Sequence, residues 1–153
     1  MFDIREFIRE SNAIERVYDD DAIETSMNAW EYLQEQDDLT HRVVMGAHRR
    51  ILEERQPDIA GEYRDVFVRV GNDVPPSPDE VPSQMNDLLA DEPEDPVEAL
   101  VWHVEFERIH PFADGNGRVG RLIYAWHCWR LGETPIMWRE EDKQGYYSLF
   151  AAK

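Results

Sequence analysis

Ile109-His110-Pro111-Phe112-Ala113-Asp114-Gly115-Asn116-Gly117-Arg118-Val119-Gly120-Arg121 places a titratable histidine, a carboxylate, an amide, three glycines and two arginines within one loop and the start of a helix. Glycines flank Asn116, so the backbone there can reach positive φ and approach a ligand closely. From Arg118 onward the pattern is helical. Val119, Leu122, Ile123, Trp126 and Trp129 recur at steps of three and four, and Gly132 stands where a C-terminal cap belongs. A glycine-rich loop running into a helix N-terminus offers free N–H groups and a positive dipole end to an anion. Arg118 and Arg121 share one face of that first turn, where helices ordinarily carry acids. Their placement makes sense if a polyanion, such as a phosphate chain, fills the space in front. The plainer reading, a turn whose arginines pair with surface acids, explains single residues but not the string.

Working outward, the residues before the loop read as a helix over 96–109 that delivers His110 at its end, with Val97, Leu100, Val101 and Val104 expected inward. Residues 3–18 carry a stripe of Ile4, Phe7, Ile8, Ser11, Ile14, Glu15 and Tyr18. Residues 20–35 (Ile23, Met27, Trp30, Leu33) and 39–54 (Leu39, Val43, Ala47, Ile51) read as two more helices, the second ended by Pro57. His41 and His48 on that helix read as satisfied or solvated histidines. Between Gly61 and Gly71 the period changes to a β-branched and aromatic run, Glu-Tyr-Arg-Asp-Val-Phe-Val-Arg-Val, too short for a helix. Prolines 75, 76, 78 and 82 punctuate the next connection, a short helix follows around 79–90, and Pro93 and Pro96 frame the start of the 96–109 helix. A last helix with Tyr146, Tyr147, Leu149 and Phe150 is expected to close the core.

Composition bounds the rest. The 153 residues suit one domain with a hydrophobic core. The net charge is −17, from 33 acids and 16 bases, and only Lys143 and Lys153 are lysines. Such a surface repels nucleic acid and anionic membrane, and it suits a saline cytoplasm in which ions screen the self-repulsion. Cys128 is the single cysteine, so no internal disulfide forms; it reads as packing in a reducing, cytoplasmic compartment. No apolar run reaches membrane-spanning length.

The string from His110 to Arg121 matches, position for position, the signature of Fic-domain proteins. The chain resembles that family of protein adenylyltransferases also at Leu100, His103, Phe106 and Glu107, in the Gly61-Glu62-Tyr63-Arg64 segment and at Pro75-Pro76…Val81-Pro82. The resemblance implies a single Fic domain over 1–153, with an N-terminal inhibitory segment at 1–18, a flap at 57–75 and the catalytic loop and helix start at 110–121. The expected fold is all-α, a helical bundle with a short β-hairpin flap beside the active-site loop. Ser11-Asn12-Ala13-Ile14-Glu15 resembles the family's inhibitory Ser-x-x-x-Glu motif, although the family follows Glu with Gly or Asn and this chain has Arg16. Asn12 and Glu15 also have capping-box spacing and could start a helix instead.

The resemblance implies transfer of AMP from ATP to a hydroxyl of a target protein held at the flap. Neutral His110 suits a general base. The N–H groups of Gly115, Asn116 and Gly117, the Asn116 amide and the helix dipole suit the α-phosphate. Asp114 suits Mg²⁺. By resemblance Arg118 meets the β-phosphate, Arg121 the γ-phosphate, and Ser11 and Glu15 regulate by pairing with Arg121. Phosphoryl transfer, another phosphate-group donor, or a catalytically inactive peptide-binding module are the alternatives; a homo-oligomer stays open.

Overall fold

The computed structural model describes residues 2–151. It contains seven α-helices among the described residues: α1 (Ile4–Ile14), α2 (Asp20–Gln34), α3 (His41–Leu52), α4 (Val81–Leu89), α5 (Pro96–Ile109), α6 (Asn116–Arg130) and α7 (Lys143–Ala151). Their starts follow from local chemistry. Asp3, Asp19, Thr40 and Asp95 each accept hydrogen bonds from first-turn N–H groups, and Pro96 occupies a position whose N–H would be orphaned anyway.

Helix α6 is the axis. Every residue from Val119 to Cys128 is buried, because α1, α2, α3 and α5 all pack on it; a helix covered all round needs no polar face. It ends as expected. Gly132 takes φ +74°, and the N–H groups of Gly132 and Glu133 donate to the carbonyls of Trp129 and Cys128 at 3.1 and 2.9 Å, the bonding pattern of a Schellman cap. Helix α5 lies along α6, and the loop 110–115 joins them.

Two expectations are corrected. The buried stripe of α5 is Ala99, Trp102, His103, Phe106 and Ile109, whereas Val97 and Val101 are 71% and 58% exposed. The helix has two apolar faces, and the aromatic one wins because its rings fit against the bare backbone of Gly120 and Trp102 can donate to the Leu88 carbonyl at 3.1 Å. The flap is not a hairpin ladder. Its pairing is an isolated antiparallel bridge, Val70 to Asp73, closing a tight turn at Gly71. The Arg64 guanidinium explains this, since it donates to the carbonyls of Val66, Pro76, Ile109 and His110 at 2.6–3.2 Å. Both ends of the segment are thereby tied to the α5 terminus rather than to each other, and Pro75 and Pro76 lack donors for a ladder. Val66, Phe67, Val70 and Val74 are left exposed. In α7, Tyr146 closes the core, while Tyr147 is exposed. Among the described residues no helix is long and apolar enough to cross a membrane.

Candidate active site

The loop is shaped by its own main chain and by one distant histidine. Helix α5 terminates at His110, which takes a left-handed conformation (φ 52°, ψ 61°). Non-glycine residues adopt this region uncommonly, histidine more readily than most. The Asn116 side chain then closes the loop: its Oδ1 accepts from the Phe112 N–H at 2.9 Å and its Nδ2 donates to the Phe112 carbonyl at 2.8 Å. Asn116 is buried, so its amide serves the loop and is not aimed at a phosphate as the sequence reading expected.

His48, read from the sequence as a satisfied or solvated histidine, is a satisfied one. It is fully buried, stacks on Phe112 with ring centroids 3.7 Å apart, and accepts from the Gly61 N–H through Nδ1 at 3.0 Å. Its Nε2 therefore carries the proton and donates to the Asp114 carbonyl at 2.8 Å. Burial pushes its pKa down to about 4, so the arrangement is stable as neutral imidazole. The available signal was its position on the apolar stripe of α3, beside Val44, Ile51 and Leu52; the partners come from two other segments.

At Gly115 (φ +84°) a side chain would press on Leu52 and His48. Gly115 caps α6 without any side-chain hydrogen bond, leaving the first-turn N–H groups of Asn116, Gly117 and Arg118 for an anion. Asp114 presents a carboxylate 55% exposed, with Oδ1 accepting from the Gly115 N–H at 2.9 Å. Arg118 lies 3.8 Å from Asp114 Oδ2 and is largely buried, its Nε without a partner. The His110 ring is also largely covered. Burial lowers its pKa, the Glu107 carbonyl opposes that fall and Arg64 adds to it, so the imidazole is neutral at pH 7.

Arg121, 1% exposed, points the other way, to α1. Its Nε donates to Ser11 Oγ at 2.7 Å, its Nη2 donates to the Ser11 carbonyl at 2.9 Å, and Nη2 also pairs with the Glu15 carboxylate. Burial would lower its pKa, but Tyr146, Glu15 and Glu107 together raise it, so it is a permanent cation. A Cβ at Gly117 would stand 2.8 Å from both Arg121 Nη1 and Glu15 Oε2, so that glycine is the floor on which the ion pair rests. Arg139 holds the far side of α1 through Glu6 (3.3 Å) and Glu10 (3.8 Å), and the Glu140 N–H donates to Glu10 at 2.9 Å.

Asn12 and Glu15 do not start a helix: Asn12 lies inside α1 and Glu15 caps its end. The N–H groups of Arg16 and Val17 donate to the carbonyls of Ala13 and Asn12 at 2.9 and 3.0 Å, and Arg16 has φ +61°. This is a Schellman cap whose left-handed position glycine or asparagine fills most easily, which gives a physical reason for the residue types expected there. Arg16→Gly is therefore expected to stabilise the fold by about 1 kcal/mol, read as a higher urea midpoint. An unchanged or lower midpoint would show that arginine meets no strain there.

These features can be set beside known proteins. The Fic/DOC family model matches residues 38–128. The protein adenylyltransferase Fic of Nematostella vectensis is 38% identical over 122 residues, which is 75% of this chain and 29% of that protein. The protein adenylyltransferase fic-1 of Caenorhabditis elegans is 35% identical over 122 residues, 75% of this chain and 24% of that protein. The chain thus spans about a quarter of the length of these curated relatives. A Fic domain containing signaling protein from Bacteroides thetaiotaomicron superposes with a TM-score of 0.80 at 26% identity, over 96% of this chain and 70% of that one. Fic-1 of C. elegans shares the fold with a TM-score of 0.81 at 24% identity, over 97% of this chain and 54% of that one. The matched span contains α3, α4, α5, the whole glycine-rich loop and most of α6, and on that ground the chain belongs to the Fic/DOC family.

Proposed function

We propose that this chain transfers AMP from ATP to a hydroxyl side chain of a target protein, and that α1 holds the activity back. The observation that carries the reading is a neutral histidine in a left-handed turn beside an uncapped helix N-terminus. The names of the relatives at 35–38% identity support the same chemistry.

His110 accepts the proton of the attacking hydroxyl. The N–H groups at the start of α6 and its dipole stabilise charge gathering on the α-phosphate, and His48 and Asn116 hold those groups in place without moving protons. Arg118 faces the β-phosphate. The irregular segment around Phe67, tied down at Val66 and Pro76 by Arg64, holds an extended target segment through its main-chain groups. A cytoplasmic location suits the free thiol of Cys128.

The loop fits a magnesium ion. Asp114 is an exposed carboxylate whose Oδ2 accepts no hydrogen bond and stands 3.8 Å from Arg118. Among the described residues no three His, Cys, Asp or Glu side chains converge, so the cation is one that takes its other oxygens from phosphates and water, as Mg²⁺ does. When bound it supplies charge neutralisation for the leaving pyrophosphate. Asp114→Ala is expected to weaken Mg²⁺-dependent ATP binding about tenfold; equal affinity at saturating Mg²⁺ would remove Asp114 from this role.

In the same reading Glu15 occupies the guanidinium that would take the γ-phosphate. Incubating the chain with Mg²⁺, a lysate and ATP labelled at either the α- or the γ-phosphate tests the reaction class. Protein-bound label from the α-position alone supports AMP transfer. Label from the γ-position means phosphoryl transfer, and none from either means a binding module.

A further inference from the structure

The carbonyls that bracket the His110 turn accept from a single distant residue. Arg64 donates through Nε to the His110 carbonyl at 2.7 Å, through Nη2 to the Ile109 carbonyl at 3.2 Å, and through its main-chain N–H to the Pro111 carbonyl at 2.9 Å. The same guanidinium also reaches the other way. Its Nη1 donates to the Val66 carbonyl at 3.0 Å and its Nη2 to the Pro76 carbonyl at 2.6 Å, on either side of the exposed Phe67, Val70 and Val74. Arg64 is 4% exposed, and among the described residues it forms no ion pair. Its planar fork of donors is matched instead to the orphaned carbonyls and negative dipole end of a helix C-terminus.

We propose that Arg64 is a positioning residue of the transfer reaction: it locks the His110 backbone in its left-handed turn and fixes that turn relative to the flap. The proposal rests on His110 as the base. The Ile109 and His110 carbonyls belong to the peptide planes on either side of the His110 Cα, so any change in its φ or ψ turns one against the other. One guanidinium bonded to both opposes that rotation. It thereby sets the direction in which the imidazole leaves the main chain, at a residue (φ 52°, ψ 61°) whose conformation is an uncommon one.

Arg64 has a fixed seat. The Gly61 N–H donates to His48 at 3.0 Å, the Tyr63 hydroxyl lies 2.7 Å from His41 Nδ1, and the Tyr63 ring packs on Phe112 with centroids 5.5 Å apart. The segment 61–64 is thus fastened to α3 and to the loop before the flap begins. The bonds to Val66 and Pro76 then place the flap, and a target segment lying on it, with respect to the imidazole. A base must stand within hydrogen-bond reach of the hydroxyl it deprotonates, and a misplacement of about 1 Å costs about 10²-fold in rate.

The test compares the full chain with Arg64→Lys, which keeps the charge at the helix end but replaces the fork with one ammonium that cannot span both groups of carbonyls. Transfer of α-label to lysate proteins at saturating MgATP is expected to fall about 10- to 100-fold, with the Kd for MgATP changed less than about twofold, because the anion-binding groups belong to α6. In a His110→Ala background the same substitution should cost less than about twofold, since a residue that acts through the base has nothing left to position. The α- and β-carbon chemical shifts of His110, which follow φ and ψ, should move in Arg64→Lys while those of Gly117 and Arg118 stay. Should the lysine variant fail to fold, Arg64→Gln, which retains an N–H donor group, takes its place with the same expectations. Wild-type transfer by the folded variant, an equal loss with and without His110, or unmoved His110 shifts overturns the proposal and leaves AMP transfer intact. No α-label from the wild-type chain overturns the proposed reaction, and this role with it.

Discussion

Replacing His110 with alanine is expected to cut AMP transfer about 10²- to 10⁴-fold while changing the affinity for MgATP less than about twofold. The asymmetry follows from the site. The imidazole sits at the end of α5, while the anion-binding groups belong to α6 and its arginines. Loss of a base slows proton removal without removing a phosphate contact. The pH profile gives an independent check. Burial holds His110 below the ordinary imidazole value of about 6.5, so the acid limb of kcat/KM should fall below that pH and vanish in the alanine variant. Transfer at the wild-type rate by the variant would remove His110 from proton abstraction.

Glu15→Gly is expected to accelerate transfer about 10- to 100-fold, because a partly buried charge-assisted hydrogen bond contributes about 1.5–3 kcal/mol and its loss frees Arg121 for the triphosphate. The effect should appear in the ATP dependence first, since the carboxylate and the γ-phosphate compete for one guanidinium. Helix α1 need not leave: Phe7, Ile8 and Ile14 are buried in the core and Arg139 still holds Glu6 and Glu10. The variant should therefore remain folded, with near-native melting. Initial rates of wild type and variant at equal, sub-saturating ATP decide it. A variant no faster than wild type would leave Glu15 as no more than a helix cap.

Much of this arrangement was legible in the amino-acid string because it is governed by neighbours within a few residues. Pro96 marks a helix start, Gly132 marks an end, and His110 to Arg121 announces a loop feeding a helix N-terminus. Caps, φ preferences and apolar periodicity act over one or two turns, so they can be read locally. What the string left open depends on partners far along the chain. The face of α5 that is buried was settled by the fit of Phe106 and His103 to Gly120, and the flap has a single bridge, Val70 to Asp73, while Arg64 takes the carbonyls of Val66 and Pro76. The Asn116 amide turned inward to Phe112, and His48 found Asp114 at a separation of 66 residues. The pairing of Glu15 with Arg121 spans 106 residues. Family resemblance named both residues and their pairing, which the structure shows, while the burial of Arg121 beneath α1 is a product of packing. Burial there raises the cost of every unpaired charge and so decides which groups pair and which stay neutral.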